Sequence, residues 1–444
     1  MILERRDGIV QSRRNLSTRN QGKNGLGQTK SFQICKYEII EAYKRIHANK
    51  GGAGCDEQSL TDFKANLKPN LYKIWNRLSS GSYMPPPVKR VELPKDDGGI
   101  RPLGIPTVSD RIAQMVVKMR IEPVLEKIFH PDSYGYRPNK SALVALGVTR
   151  ERCWKRAWVL DMDIKGFFDN IDHDLLMLAV NKHVKEKWMR IYIERWLKAA
   201  VLHKDGRLET KTKGTPQGGV ISPLLANLYL HYVFDQWVER RWHGIQFERY
   251  ADDIVCHCAS EREAEKLKEI LTLRFSTCGL TLHPAKTKIA YCKSTKFKQN
   301  YPVVSFEFLG HIFKPRLIKS QDGVFRVNFW PSIRSKAATK IRQTIKAWNV
   351  FSVHRSNLKL IANHKQSALR GWINYYGKYG RREIIQTLDF LDREVVRWAK
   401  RKYKRLTSKR KARYWLNRIR KREPNLFIHW QFANKDNDWT IRAV

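Results

Sequence analysis

Arg249-Tyr250-Ala251-Asp252-Asp253-Ile254 sets two carboxylates side by side. Phe247 and Tyr250 lead in, and Ile254, Val255 and Cys256 lead out. Such flanks predict a β-hairpin with the aspartates at its tip. Adjacent carboxylates repel one another unless a cation lies between them. Mg²⁺ is a hard cation that combines one or two protein carboxylates with substrate phosphates. A solvated Asp-Asp turn is the ordinary alternative. A second stretch, Trp158-Val159-Leu160-Asp161-Met162-Asp163-Ile164, sharpens the choice. At period two, Trp158, Leu160, Met162 and Ile164 share one face, and Val159, Asp161 and Asp163 share the other. That predicts a strand with one side in a core and carboxylates turned to a cleft.

Other elements must bring phosphates to those carboxylates. Pro85-Pro86-Pro87 forces an extended stretch, after which Val88 to Lys95 alternates like a strand. Asp97-Gly98-Gly99 is a hairpin turn signal, and Ile100 to Leu103 is the return strand. Lys95 and Arg101 then lie near each other across a hairpin, where a point charge and a planar fork can hold a triphosphate; on these residues alone an ordinary charged, exposed hairpin is the readier reading. Gly214-Thr215-Pro216-Gln217-Gly218-Gly219 permits close backbone approach. Ser222 then Pro223 reads as an N-cap and first turn, with a helix over Leu224 to Trp237. Asp110 reads as the cap of a helix ending near Glu122, before Pro123. Ile39, Ala42, Tyr43 and Ile46 lie on one face of a helix near 34–49. The glycines of 51–54 mark either a phosphate contact or a plain connector. Ser133-Tyr134-Gly135-Tyr136-Arg137 offers aromatics and an arginine to a backbone or base.

The 444 residues suffice for two or three domains with a sizeable core. Lys plus Arg number 85 against 42 Asp plus Glu, a formal net charge of +43. That excess points to a polyanion, nucleic acid above all, and away from a membrane surface. Seven cysteines without a Cys-x-x-Cys pair argue against a zinc ribbon and a disulfide framework. Cys256 and Cys258 read as buried thiols. No apolar signal core and no run of 18 apolar residues occur, so the expectation is a soluble cytoplasmic protein, organellar import being the lesser alternative.

Beyond the hairpin, 261–275 reads as an amphipathic helix. Ser332 reads as the cap of a helix bearing Ile333, Ala337, Ile341, Ile345 and Trp348. Two further helices carry Leu369, Trp372, Ile373 and Tyr376, then Leu388, Leu391, Val395 and Trp398, and three such helices can form a small bundle. From Arg393 to Arg422 half the residues are Lys or Arg against one acidic residue, Glu394. Trp398, Tyr403, Tyr414 and Trp415 are interleaved there. Basic residues release counterions from phosphates, and aromatics stack on bases.

These separated motifs, in this order, resemble the reverse transcriptases encoded by group II introns. The resemblance covers about 32–430. It is carried by Pro-Lys-x-x-Gly-Gly-x-Arg at 94–101, Ser-Tyr-Gly-x-Arg-Pro at 133–138, the block around Asp163, and Thr-Pro-Gln-Gly followed by Ser-Pro-Leu-Leu-Ala-Asn. Tyr-Ala-Asp-Asp, Phe308-Leu309-Gly310-His311 and Leu369-Arg370-Gly371-Trp372-Ile373-Asn374-Tyr375-Tyr376 complete it. The resemblance implies an α+β right-hand polymerase with an antiparallel palm sheet, an α-helical thumb and a basic helical C-terminal region. The expected divisions are a basic arm over 1–30, fingers and palm over 31–325, thumb or maturase domain over 326–392, and a DNA-binding region over 393–444. It implies that Asp163, Asp252 and Asp253 hold two Mg²⁺ ions, with Asp161, Asp169 and Asp172 structural. Lys95, Arg101, Gln217 and Lys286 would attend the nucleotide. Phe168, or its rival Phe167, would lie under the sugar. His311 is expected to be satisfied by a hydrogen bond. Arg370, Arg397, Lys400, Arg401, Lys404, Arg405, Lys409 and Arg410 would contact nucleic acid. Partners implied are intron RNA, target DNA with a primer strand, and dNTPs, with no membrane. Maturase work, assisting splicing by binding the intron RNA, would accompany target-primed cDNA synthesis in retrohoming. Nothing like the His-Asn-His endonuclease of many relatives follows Trp430, so priming is expected from an existing DNA 3′ end. The alternative is a free-standing cellular reverse transcriptase, for example in phage defence.

Overall fold

The helical stripe of Ile39, Ala42, Tyr43 and Ile46 is buried along α1 (Lys36–Ala48), where an apolar face of this width needs a partner. In this computed structural model the described residues are 30–94, 98–319, 323–349, 357–434 and 441–442. Lys95 and all of the expected arm except Lys30 lie outside them. The chain divides into two units.

The first unit takes the chain through Ile121, with Val184–Lys211 and Pro216–Ile221. It contains α1, α2 (Leu60–Ala65), α3 (Leu67–Ser80), most of α4 (Val108–Leu125) and α8 (Lys187–Leu197). The expected hairpin is present as β1 (Val88–Pro94) and β2 (Ile100–Ile105), antiparallel, with Leu93 opposite Arg101. Two short strands, β4 (Val201–Leu202) and β5 (Leu208–Glu209), extend the sheet in the order β2-β1-β4-β5. The start of α4 differs from expectation. Thr107 Oγ1 accepts from the Asp110 backbone N–H at 3.1 Å, so Thr107 takes the capping role and Asp110 is buried one turn in. Pro123 lies inside the last turn rather than ending the helix, since its fixed φ suits a helix and little helix remains to be disturbed.

The second unit is Glu122–His183, Thr212–Thr215 and Ser222 onward. Its first sheet is wholly antiparallel, order β6-β7-β3-β8, from β3 (Trp158–Asp163), β6 (Gln246–Tyr250), β7 (Asp253–Cys258) and β8 (Lys288–Tyr291). Helix α5 (Ala142–Cys153) packs on β6 and β7, and α11 (Glu261–Thr277) on β3, β7 and β8. Val159 shares a buried cluster with Ala145 and Leu146, so the carboxylate-bearing face of β3 is covered at its start. Helices α6 (Phe167–Asn170) and α7 (His173–His183) follow β3. The helix expected over Leu224–Trp237 is longer and interrupted. Helix α9 (Ser222–Leu230) runs through a π-helical turn (His231–Asp235) into α10 (Gln236–Arg241). Cys256 and Cys258 are buried free thiols.

A second sheet holds β9 (Phe306–Phe308), β10 (His311–Lys319), β11 (Phe325–Ile333) and β12 (Ile441–Arg442), with β10 pairing all three others. Ser332 is therefore a strand residue opposite Ile312 and accepts from Arg316, and the helix begins only at Ser335 because the ladder occupies the backbone through Ile333. Helices α12 (Ser335–Ala347), α13 (Leu358–Tyr376), α14 (Arg381–Lys402), α15 (Lys409–Arg422) and α16 (Ile428–Asn434) close one core around Ile341, Leu369, Leu391, Trp398, Leu416 and Trp430. The boundary drawn at 392 falls inside α14, because the basic run keeps an apolar stripe that this core absorbs. Among the described residues no helix is long and apolar enough to cross a membrane.

Trp398 is fully buried where α14 and α15 meet. Trp398→Ala should cost about 3–5 kcal/mol of stability. Denaturant unfolding of the full chain checks it; a loss below about 1 kcal/mol would mean the basic segment is not part of this core.

Candidate active site

Antiparallel pairing of β3 with β7 puts Asp163 directly opposite Asp253. Asp252 is the neighbour of Asp253 in the turn from β6 to β7. That turn needs an unusual backbone, since Ala251 has φ 58°. It is braced from below. Arg249 is fully buried and forks onto Asp235, Nε to Oδ1 at 2.7 Å and Nη2 to Oδ2 at 2.6 Å. Its Nη1 donates to Asn227 Oδ1 at 2.9 Å and to the Ala251 carbonyl at 3.2 Å. Asn227 Nδ2 in turn donates to the Gly135 carbonyl at 2.7 Å. A Cβ on Gly135 would lie 2.4 Å from the Ala251 nitrogen, so only glycine fits there. Burial would raise the Asp235 pKa, yet the Arg249 charge and fork outweigh it and hold the carboxyl below its ordinary value. The π-helical turn that carries Asp235 is the irregularity such functional neighbourhoods often contain.

The carboxylates strain against each other. Burial, then the charges of Asp252 and Asp163, push Asp253 up to about 7. One face of Asp253 still opens to solvent. Burial and then Asp253 raise Asp161 well above its ordinary value. Lys286 Nζ lies 2.9 Å from Asp163 Oδ2, a local counter-charge. Among the described residues no group of three or more His, Cys, Asp or Glu side chains forms a ready metal cage. The donor set suits the other mode, in which one or two carboxylates share a hard cation with substrate phosphates. The burial and the neighbouring negative charges that raise Asp253 are what a divalent cation would offset.

Phe167 and Phe168 are both buried, their rings 5.2 Å apart and edge to face. The Phe168 carbonyl accepts from Thr215 N at 2.7 Å, and Ile171 O from Gly214 N at 2.7 Å. Gly214 adopts φ 84°, and a Cβ there would sit 2.8 Å from the Phe168 and Asp169 carbonyls. Asp172 Oδ1 accepts from Leu175 N at 2.9 Å, at the start of α7. Arg137 turns inward onto Glu126 and the His130 and Ser133 carbonyls, so its segment braces the hairpin instead of offering a cation.

Within the first unit, Arg101 Nε donates to Gln217 Oε1 at 3.0 Å, joining two of the expected nucleotide residues. Gln217 O accepts from Gly104 N at 2.7 Å. The 51–54 glycines answer to packing. Arg111 Nη2 donates to Gly52 O at 2.7 Å, and a Cβ on Gly54 would meet Thr107 Cα at 2.6 Å.

Arg370 on α13 is exposed, and so in the basic segment are Lys400, Arg401, Lys404, Arg405, Lys409 and Arg410. Arg397 is exposed and pairs with Glu394 at 2.7 Å. Of the interleaved aromatics, Tyr414 is 68% exposed while Trp398 is fully buried, so stacking on a base is open to the first and closed to the second. Sequence reasoning missed Asp235, Asn227 and Arg249 as the brace; Arg249 beside the paired aspartates was the one available signal.

Residues 93–313 match the family described as reverse transcriptase (RNA-dependent DNA polymerase). Residues 338–415 match the maturase-specific domain of group II introns. Protein YkfC of Escherichia coli (strain K12) is 37% identical over 365 residues, which is 71% of this chain and 90% of YkfC. The group II intron-encoded protein LtrA of Lactococcus lactis subsp. cremoris is 37% identical over 193 residues, 43% of this chain and 32% of LtrA. The putative COX1/OXI3 intron 1 protein of Saccharomyces cerevisiae is 24% identical over 440 residues, 82% of this chain and 51% of that protein. The chain thus spans about half or less of the two intron proteins.

The two matched segments meet at α5, where Tyr379 Oη donates to the Leu143 carbonyl at 3.1 Å, and at one turn. Leu309 and Gly310, with φ 47° and 74°, turn β9 into β10. Tyr375 of α13 donates its hydroxyl to the Leu309 carbonyl at 2.8 Å, and His311 Nδ1 meets the same carbonyl at 3.1 Å. Burial among Tyr375, Tyr376 and Tyr379 pushes the His311 pKa down to about 4. The unfolded chain then takes up a proton that the folded chain refuses. Stability from this group is full above about pH 6.5 and is lost as pH falls toward 4. His311→Phe should flatten the fall in unfolding midpoint over that window. An unchanged slope would remove His311 from the acid response.

Proposed function

This chain belongs to the reverse transcriptases that carry a group II intron maturase domain, and we propose from that footing how its residues divide the work. It is an RNA-directed DNA polymerase of intron-encoded type, with a maturase role toward the intron RNA. The observation that carries the catalytic reading is the register of Asp163 against Asp253, beside Asp252, on a hairpin braced by a buried arginine. The chemistry is in-line attack of a primer 3′-OH on the α-phosphorus of a dNTP, with pyrophosphate leaving. Asp163, Asp252 and Asp253 supply the oxygen ligands for divalent cations, Mg²⁺ by our reading. Held by these three side chains, two such ions would lower the pKa of the attacking hydroxyl and neutralise charge on the departing phosphates.

Arg101 and Lys95 take the triphosphate, Gln217 the nucleotide or its template base, and Phe168 the floor of the sugar. Lys286, at 2.9 Å from Asp163, is near enough to the metal ligands to serve the leaving phosphate. Residues 31–325 act as fingers and palm, 326–392 as thumb, and the exposed cations of α14 and α15 hold nucleic acid backbone. Retrohoming by target-primed synthesis is the biological use. The maturase-domain match speaks against the free-standing alternative.

Primer extension on RNA tests the assignment. Asp252→Ala should lower the rate on the order of a hundredfold or more. Undiminished synthesis would sink it. Asp163→Ala should likewise stop synthesis yet leave assisted splicing in place. Equal loss of both would contradict a maturase role carried by surfaces away from the carboxylates.

A further inference from the structure

Gln114 lies on α4, one turn past Asp110, and is 3% exposed. Nothing in the chemistry above uses it. A buried side-chain amide must find partners for a carbonyl and an NH₂ group, and this one finds them on opposite sides. Its Nε2 donates to Asp110 Oδ2 at 3.0 Å. Its Oε1 accepts from the backbone N–H groups of Val220 at 2.8 Å and Ile221 at 3.3 Å. Turning the amide over would set NH₂ against two N–H donors and a carbonyl against a carboxyl. The partners therefore fix its orientation.

The other end of this chain of bonds is firm. Asp110 Oδ1 accepts from Tyr83 Oη at 2.9 Å and from Trp196 Nε1 at 2.7 Å. Three donors, from the segment after α3, from α8 and from α4 itself, thus converge on one buried carboxyl. Side-chain networks satisfied in this way hold their members in place.

The loop at the receiving end runs between two pins, with one backbone bond of its own, Gly219 N to Pro216 O at 3.1 Å. Gln217 is held by the Gly104 N–H on its carbonyl and by Arg101 on its side chain. Val220 and Ile221 are held by Gln114. Gly218 and Gly219 join the two pins without side chains, and Gly218 has φ 121°, with Gly104 O where a Cβ would be, 2.5 Å away. Glycine freedom leaves the loop's course to be set by its ends.

We propose that Gln114 is a positioning residue for nucleotide selection: it anchors the Pro216–Ile221 loop and through it sets Gln217 against the incoming nucleotide. The proposal rests on the reading of Gln217 as a nucleotide contact. Gln114 touches neither substrate nor reacting atoms. Its effect should therefore fall on nucleotide affinity more than on the chemical step.

The test is steady-state primer extension on RNA by the full chain, with one dNTP varied. Gln114→Met keeps the volume and removes both hydrogen-bonding ends. It should raise KM for dNTP about tenfold and change kcat by less than about threefold. Gln114→Asn keeps the amide but draws it back by one methylene, and the same KM rise is expected. Ile39→Ala, in the buried stripe of α1 and outside this network, is the control for general loosening. It should lower Tm and leave KM within about twofold. The proposal is overturned if both Gln114 variants leave KM within about twofold, or if Ile39→Ala raises KM as much as they do. Gln217→Ala separates the two levels. If it raises KM while the Gln114 variants do not, the anchor fails and the nucleotide contact stands. If Gln217→Ala itself leaves KM unmoved, the nucleotide-contact reading fails.

Discussion

The constraint that organises this protein is electrostatic: three carboxylates held in a small space without enough positive charge. Asp163 and Asp253 face each other by strand register, and Asp252 follows by adjacency. Backbone hydrogen bonds of the ladder fix where Asp163 and Asp253 meet. Burial first, and then this crowding, push Asp253 up to about 7 and raise Asp161 beyond it. A site strained in this direction prefers a cation, and a polymerase can use that preference when the cation arrives with a triphosphate.

The surrounding structure can be understood as what keeps those groups from moving apart. Arg249 places a buried charge under the hairpin, matched by Asp235 and spent partly on the Ala251 carbonyl. A buried charge is tolerated only when paired, and the pairing fixes the turn's position as a by-product. Asn227 and Gly135 extend the brace to two other segments of the chain. In the first unit, Asp110 and Gln114 play a comparable part for the Pro216–Ile221 loop. Tyr375 does so for the Leu309–Gly310 turn, where the maturase-matched helix supports the polymerase-matched segment. All three are polar side-chain contacts, buried or half-buried, that end on a backbone group of a turn or loop.

The sequence was informative where chemistry and periodicity coincide. Period two located β3 and the face of Asp161 and Asp163; turn chemistry located the β1–β2 hairpin and the Asp-Asp tip. The helical stripe of α1 was legible to the residue. What could not be read were partnerships between distant residues. Asp235 looks like one more helical aspartate until the π-helical turn and Arg249 are seen together. Asp110 reads as a helix cap by local rules, which favour it over the Thr107 that fills the place. Arg137 reads as a free cation, because Glu126 gives no local sign that it will claim it. The basic run reads as a separate tail because, beyond the Trp398 that spacing already places on a helix, charge density hides Ala412 and Leu416, which bury it in the preceding helices' core.

On our proposal, crowding of Asp163, Asp252 and Asp253 creates a divalent-cation site completed by substrate. Mn²⁺ binding, followed by electron paramagnetic resonance, tests it most directly. The sample is the full chain holding a primer–RNA template and a non-hydrolysable dNTP. Two bound ions per chain are expected, falling when any of the three aspartates becomes asparagine. Unchanged binding in the three variants would contradict it.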